Sequence, residues 1–140
     1  MKITVIVLLI AMLLAGKAEA RQPEYPRNLW MGLIGEASGD GERGMMAVCC
    51  VIRNRLAMGM DIGLVAMKRR DLGQFCKKEG HSREIMAKRV VQEVFEQRVP
   101  DITYGAIYFE GDQYPKPRWA YNKTVVARIG HHIFYADKGR

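Results

Sequence analysis

Between Glu42 and Met58 the apolar residues Met45, Val48, Cys49, Ile52 and Leu56 recur at helical spacing, and Met46, Cys50 and Val51 widen that stripe almost all the way round. A helix that is apolar on nearly every side is stable only where neighbours cover it, so the spacing predicts a central helix over residues 42–58 with the rest of the chain wrapped around it. Polar character returns at its far end as Arg53, Asn54 and Arg55. Ahead of it, Ser38-Gly39-Asp40-Gly41 reads as a glycine-rich break, with Asp40 as a cap for the central helix. Just before the break stands Glu36, an acidic residue at the mouth of an apolar core.

The remaining segments are read as its cover. Leu29, Trp30, Leu33, Ile34 and Ala37 recur at helical spacing after Asn28, a candidate N-cap, which predicts a short helix ending near Glu36. Residues 61–69 read as another short helix, with Asp61 as cap and Ile62, Val65 and Ala66 facing inward. Residues 71–82 read as a polar loop interrupted by Phe75. From Ser82 an amphipathic helix presents Met86, Ala87, Val90, Val91, Val94 and Phe95 to the core, and Pro100 ends it. The late runs 106–109, 124–128 and 132–135 are β-branched and aromatic between glycine and proline, so they read as short strands. The expected fold is α+β, helices first with a short late β-sheet.

The first twenty residues stand apart. Lys2, an apolar run from Ile3 to Ala15 and the ending Ala18-Glu19-Ala20 have the layout of a secretory signal peptide. The run is about thirteen residues, short of the roughly 20 a membrane span needs, so cleavage after Ala20 and no stable membrane insertion afterwards are expected. An uncleaved anchor is the alternative. The division is then a signal peptide over 1–20, a proline-containing N-terminal tail over 21–27 and one domain over 28–140.

Of 140 residues, 120 then remain, enough for one modest core. Losing Lys2, Lys17 and Glu19 changes the net charge from +7 to +6. A basic exported domain, in the periplasm or cell-wall space, favours anionic partners. No arginine-rich tract or nucleic-acid motif is present, so nucleic acid is not expected as a partner. The three cysteines cannot all pair internally. Cys49 and Cys50 read as core thiols, while Cys76 is left free or paired with one of them. Their spacing suits no zinc site, and neither a metal nor a cofactor is expected.

The order IGEASGDGERGMMAVCCVIRNR, GQF, PDITYGAIYF, PRWA and RIGHHIFY, from about Trp30 to Tyr135, resembles the cell-wall hydrolase family typified by the spore-cortex-lytic enzymes of spore formers. The resemblance implies a small lysozyme-like or lytic-transglycosylase-like domain acting on peptidoglycan, and a monomer is expected. It implies cleavage of the glycan between N-acetylmuramic acid and N-acetylglucosamine. The family's catalytic glutamate falls on Glu36. Where the family usually has arginine and a second glutamate, this chain has Ser38 and Asp40; after the strand ending in Tyr-Phe it has Glu110, Gly111 and Asp112.

Elementary chemistry asks for the same group. Glycosidic cleavage needs a carboxylic acid still protonated near neutral pH, and an apolar wall such as Leu33 and Ile34 favours the neutral form. A partner carboxylate would stand roughly 5 to 5.5 Å away in a retaining hydrolase and 6.5 to 9.5 Å away in an inverting one. Asp40, Glu110 and Asp112 are the candidates, with capping the plainer reading of Asp40 and a solvated sheet edge that of Glu110. A lytic transglycosylase needs no attacking water, because the C6 hydroxyl of muramic acid closes on its own anomeric carbon. That reaction is expected with Glu36 as acid and base; hydrolysis of the same bond is the alternative, and a wall-binding module without catalysis stays open. Gln74, Phe75, Tyr108, Trp119 and His132 are the candidate substrate-binding residues, and Asn54 and Arg55 read as a structural network.

Overall fold

The computed structural model describes residues 21–139. The expected signal segment lies outside them, and no described helix is long and apolar enough to cross a membrane. Among the described residues four α-helices come first: α1 (Leu29–Ala37), α2 (Gly41–Ala57), α3 (Leu72–Glu79) and α4 (His81–Phe95). Three strands follow, β1 (Tyr108–Gly111), β2 (Lys123–Ile129) and β3 (His132–Asp137), in one antiparallel sheet of order β1-β3-β2.

Helix α2 is the hub, packed on α1 and α4 and touching β1 and β2. Met45, Ala47, Val48, Cys49, Cys50, Val51 and Ile52 are all fully buried along it. Cys, Val and Ile are weak helix formers, so propensity does not hold this segment helical. Burial does, at roughly 1.5–3 kcal/mol for each large side chain removed from water. Leu33 and Ile34 of α1, Val90, Val94 and Phe95 of α4 and Phe134 of β3 close the same core. In the lead-in before α1, Tyr25 lies with its ring centroid 4.4 Å from that of Phe95.

The polar end of α2 is tied to three neighbours. Arg53 donates to the Val94 and Val99 carbonyls, both at 3.0 Å. Asn54 donates to Asp101 at 2.7 Å and to the Ala106 carbonyl at 2.9 Å. Arg55 reaches the Ile107 carbonyl at 2.9 Å and clasps Asp61 through its backbone and carboxylate oxygens.

Several local expectations are corrected. Residues 61–69 form only a 3₁₀ turn, Val65–Lys68, because Gly63 takes a left-handed φ of 65° and Asp61 is drawn to Arg55 instead of capping. Val65 is exposed, and Ala66 turns inward. The expected loop 71–82 holds helix α3, whose Leu72 and Cys76 are buried at i, i+4 spacing; the glycines at its start and end mask that short stripe. β1 starts two residues later than expected, with Ala106 and Ile107 buried ahead of it. Neither Asn28 nor Asp40 makes a side-chain cap bond.

Candidate active site

A cleft of about 370 Å³ opens where the end of α1 meets the β2–β3 hairpin, and Glu36 and Asp40 line it together with His131 and His132. Each of these side chains is brought there by a local feature. Gly32 and Gly35 lie on one face of α1, and the segment 64–67 packs directly on them: a Cβ added to Gly35 would stand 2.6 Å from the Ala66 Cβ. This close approach brings the Ala66 N–H to 2.8 Å from Oε1 of Glu36. The carbonyl oxygen of a carboxylic acid is a better acceptor than its hydroxyl oxygen, so this N–H on Oε1 favours Oε2 as the place for the proton of a neutral Glu36.

Opposite stands a second polar pair. Asp40 ends the 3₁₀ turn Ser38–Asp40, and its carboxylate lies against Gly44 and Gly130, in the space a Cβ at either position would need. Gly130 opens the two-residue β2–β3 turn with a left-handed φ of 57°, a geometry that favours glycine in the first turn position. The turn presents the His131 N–H to Oδ1 of Asp40 at 3.1 Å and Nδ1 of His132 to Oδ2 at 2.6 Å. His132 is paired across the sheet with Gly111 and Ile129, and its ring meets Phe109 edge-on at 5.4 Å. Asp40 therefore joins loop to hairpin, and the capping expectation for it is replaced.

The other candidate carboxylates lie elsewhere. Alternation along β1 sends Phe109 to the cleft and Glu110 to the opposite face, where Glu110 accepts a short hydrogen bond from the Tyr135 hydroxyl. Its Oε2 is buried without a partner among the described residues, so Glu110 is not a solvated edge residue. Burial and then Glu110 push the Tyr135 hydroxyl up to about 12. Asp112 is half-exposed, 3.5 Å from Nδ1 of His131 at the rim.

Of the candidate binding residues, His132 lines this cleft, whereas Gln74, Phe75, Tyr108 and Trp119 lie outside its lining. Gln74 is exposed on α3, and Phe75 lies beneath the Arg69 guanidinium at 4.4 Å. Tyr108 shares the outer sheet face with Trp119, ring centroids 5.7 Å apart, and Lys123 sits 4.4 Å above its ring. Trp119 is 40 % exposed. Sequence reasoning missed Gln113, Tyr114 and His131 in the cleft wall; the run Gly111-Asp112-Gln113-Tyr114-Pro115 after a strand was the available signal for a rim. Among the described residues no group of three or more His, Cys, Asp or Glu could hold a metal ion.

A family model described as Cell Wall Hydrolase matches residues 39–135, starting just after Glu36. No curated protein matches the chain. Two solved structures do. The catalytic domain of the germination-specific lytic transglycosylase SleB from Bacillus anthracis aligns at 22 % identity and a TM-score of 0.57, over 80 % of this chain and 97 % of that one. The catalytic domain of the Bacillus cereus SleB protein aligns at the same identity and TM-score, over 86 % of this chain and 100 % of that one. At this identity the likeness is one of fold.

Proposed function

The chain belongs to the cell wall hydrolase family, and from that premise we propose that it cuts peptidoglycan glycan strands between N-acetylmuramic acid and N-acetylglucosamine as a lytic transglycosylase. The observation that carries the reading is Glu36 itself: a carboxyl in the wall of an open cleft, one oxygen held by the Ala66 N–H at 2.8 Å and the other without a partner among the described residues. Glu36 acts as acid when Oε2–H protonates the leaving glycosidic oxygen, and afterwards, as carboxylate, it accepts a proton to regain its starting form. The C6 hydroxyl of the muramic acid closes on its own anomeric carbon and leaves a 1,6-anhydro end. Asp40 argues against a classical retaining hydrolase, because both its oxygens are engaged and neither is free to attack the sugar.

His132 meets the sugar within the cleft. Tyr108 on the edge strand, Trp119, and Gln74 with Phe75 serve sugars further along the strand, since a polymer extends well past a cleft of about 370 Å³. The protein works after export, in the periplasm or cell-wall space, as a monomer.

The test is a digest of purified peptidoglycan by wild type and Glu36→Gln, with the products weighed. Wild type is expected to release fragments one water lighter than hydrolytic ones, and Glu36→Gln to lose at least about 10²-fold in rate. Fully hydrated ends would assign hydrolysis instead, and a folded Glu36→Gln that clears walls at the normal rate would remove Glu36 from the chemistry. If wild type and variant both bind walls and neither cuts, the domain is a binding module.

A further inference from the structure

Glu36 and Asp40 line one cleft, yet they are equipped differently. Asp40 is buried, its side chain 5 % exposed, and the His132 side chain that meets it is 10 % exposed. A carboxylate only accepts hydrogen bonds, so the hydrogen in the 2.6 Å contact sits on Nδ1 of His132. The ring is thereby held in one tautomer, with Nε2 as its remaining nitrogen. No described residue bonds Nε2, and His132 lines the cleft that contains Glu36. The edge-on contact with Phe109 and the pairing of β3 between its two neighbours keep the ring in place.

We propose that Nε2 of His132 takes the proton from the attacking oxygen while Glu36 gives its own to the leaving one, an inference that rests on the glycan-cleavage reading above. In that step the C1–O4 bond breaks with its electron pair going to O4, and O4 gains the Glu36 proton. The O6–C1 bond forms, and the O6 proton passes to Nε2. The imidazolium then loses a proton to solvent and Glu36 gains one, which restores the starting state. The same nitrogen serves if water attacks in place of O6. Glu36 is thus spared from serving both oxygens at once, and Asp40 is a positioning residue that selects the tautomer.

Three variants test this on soluble glycan strands. His132→Asn keeps an amide N–H for Asp40 and lacks Nε2; it is expected to fold and to lose about 10²-fold or more in kcat with KM little changed. His132→Ala is expected to lose as much and to regain part of the rate with added imidazole, which a purely structural role would not allow. Asp40→Asn turns an amide N–H toward Nδ1 and forces the hydrogen onto Nε2. Its kcat is expected to fall by about 10²-fold as well, without imidazole rescue. A His132→Asn enzyme with unchanged kcat, or one whose only defect is a raised KM, overturns the proposal. So does a His132→Ala enzyme that imidazole does not revive. If wild type itself releases no glycan fragments, the glycan-cleavage reading falls and takes this inference with it; an active wild type and an inactive Glu36→Gln leave His132 to be judged alone.

Discussion

At the residue scale, the smallest side chains near the cleft decide the most. Gly35 has no Cβ, and that absence lets the 65–68 turn seat its Ala66 N–H on Glu36. In Gly35→Ala the new carbon would meet the Ala66 Cβ at 2.6 Å and a Leu72 methyl at 3.3 Å, so the turn must withdraw and carry the N–H away. We expect a loss of about 1–3 kcal/mol from overpacking, read by thermal melting, together with a kcat reduced by more than the loss of folded protein explains. Gly73→Ala is the contrast: its nearest neighbour would be a Met31 methyl at 3.9 Å, so it should gain about 0.5–1 kcal/mol with activity unchanged. Full activity in Gly35→Ala would mean that the Ala66 contact does not matter to Glu36. Glu36 could be singled out as a candidate from the ordered motifs that resemble the family. The N–H that orients it could not, because thirty residues of chain separate donor from acceptor.

At the element scale, α2 illustrates how a helix end is anchored. Asn54 and Arg55 read as a structural network within one of the motifs of the resemblance, and together with Arg53 they tie α2 to three separate segments. The segment after α4 is organised by Asp101, which accepts from Asn54, from the Thr103 amide and hydroxyl and from the Gly105 amide. Burial by itself would raise the Asp101 carboxyl, but these hydrogen bonds outweigh it and hold the group below its ordinary range. A lowered folded-state pKa contributes stability that is complete above the unfolded value of about 3.9 and is lost as pH falls through the folded value. Asp101→Asn should therefore cost about 1–3 kcal/mol at pH 7, and its gap to wild type should narrow below about pH 4. Melting curves from pH 7 to pH 3 check this, and a gap that ignores pH would show that the Asp101 charge is not what the network uses. Helix α3 escaped sequence reading for a different reason. Eight residues offer barely two turns of periodicity, and Leu72 and Cys76 are too few to outweigh the glycines beside them.

At the scale of the whole molecule, the helices build a core around α2 and the sheet closes one side of it, so that α1 and the β2–β3 hairpin face each other across the cleft. Cys49, Cys50 and Cys76 are free and buried in that core, and burial pushes all three thiols up. The native protein should thus resist a thiol-specific reagent at pH 8, with all three thiols reacting once it is unfolded. Rapid modification of the native protein would contradict a tightly packed α2. Ordered motifs carried the family, and periodicity was enough for the helices-first α+β plan and the central place of α2. Those are properties of local spacing, and burial of an apolar stripe enforces them wherever the stripe ends up. Asp40 and Glu110 were beyond such reading, since the strand register alone assigns Glu110 to the face of Tyr135, and a hairpin ninety residues downstream turns Asp40 from a cap into the partner of His132. Local spacing could place Glu36 at the end of a helix; only the closure of hairpin onto turn could bring an imidazole to the same cleft, because contacts between distant segments arise from packing and not from the order of neighbours.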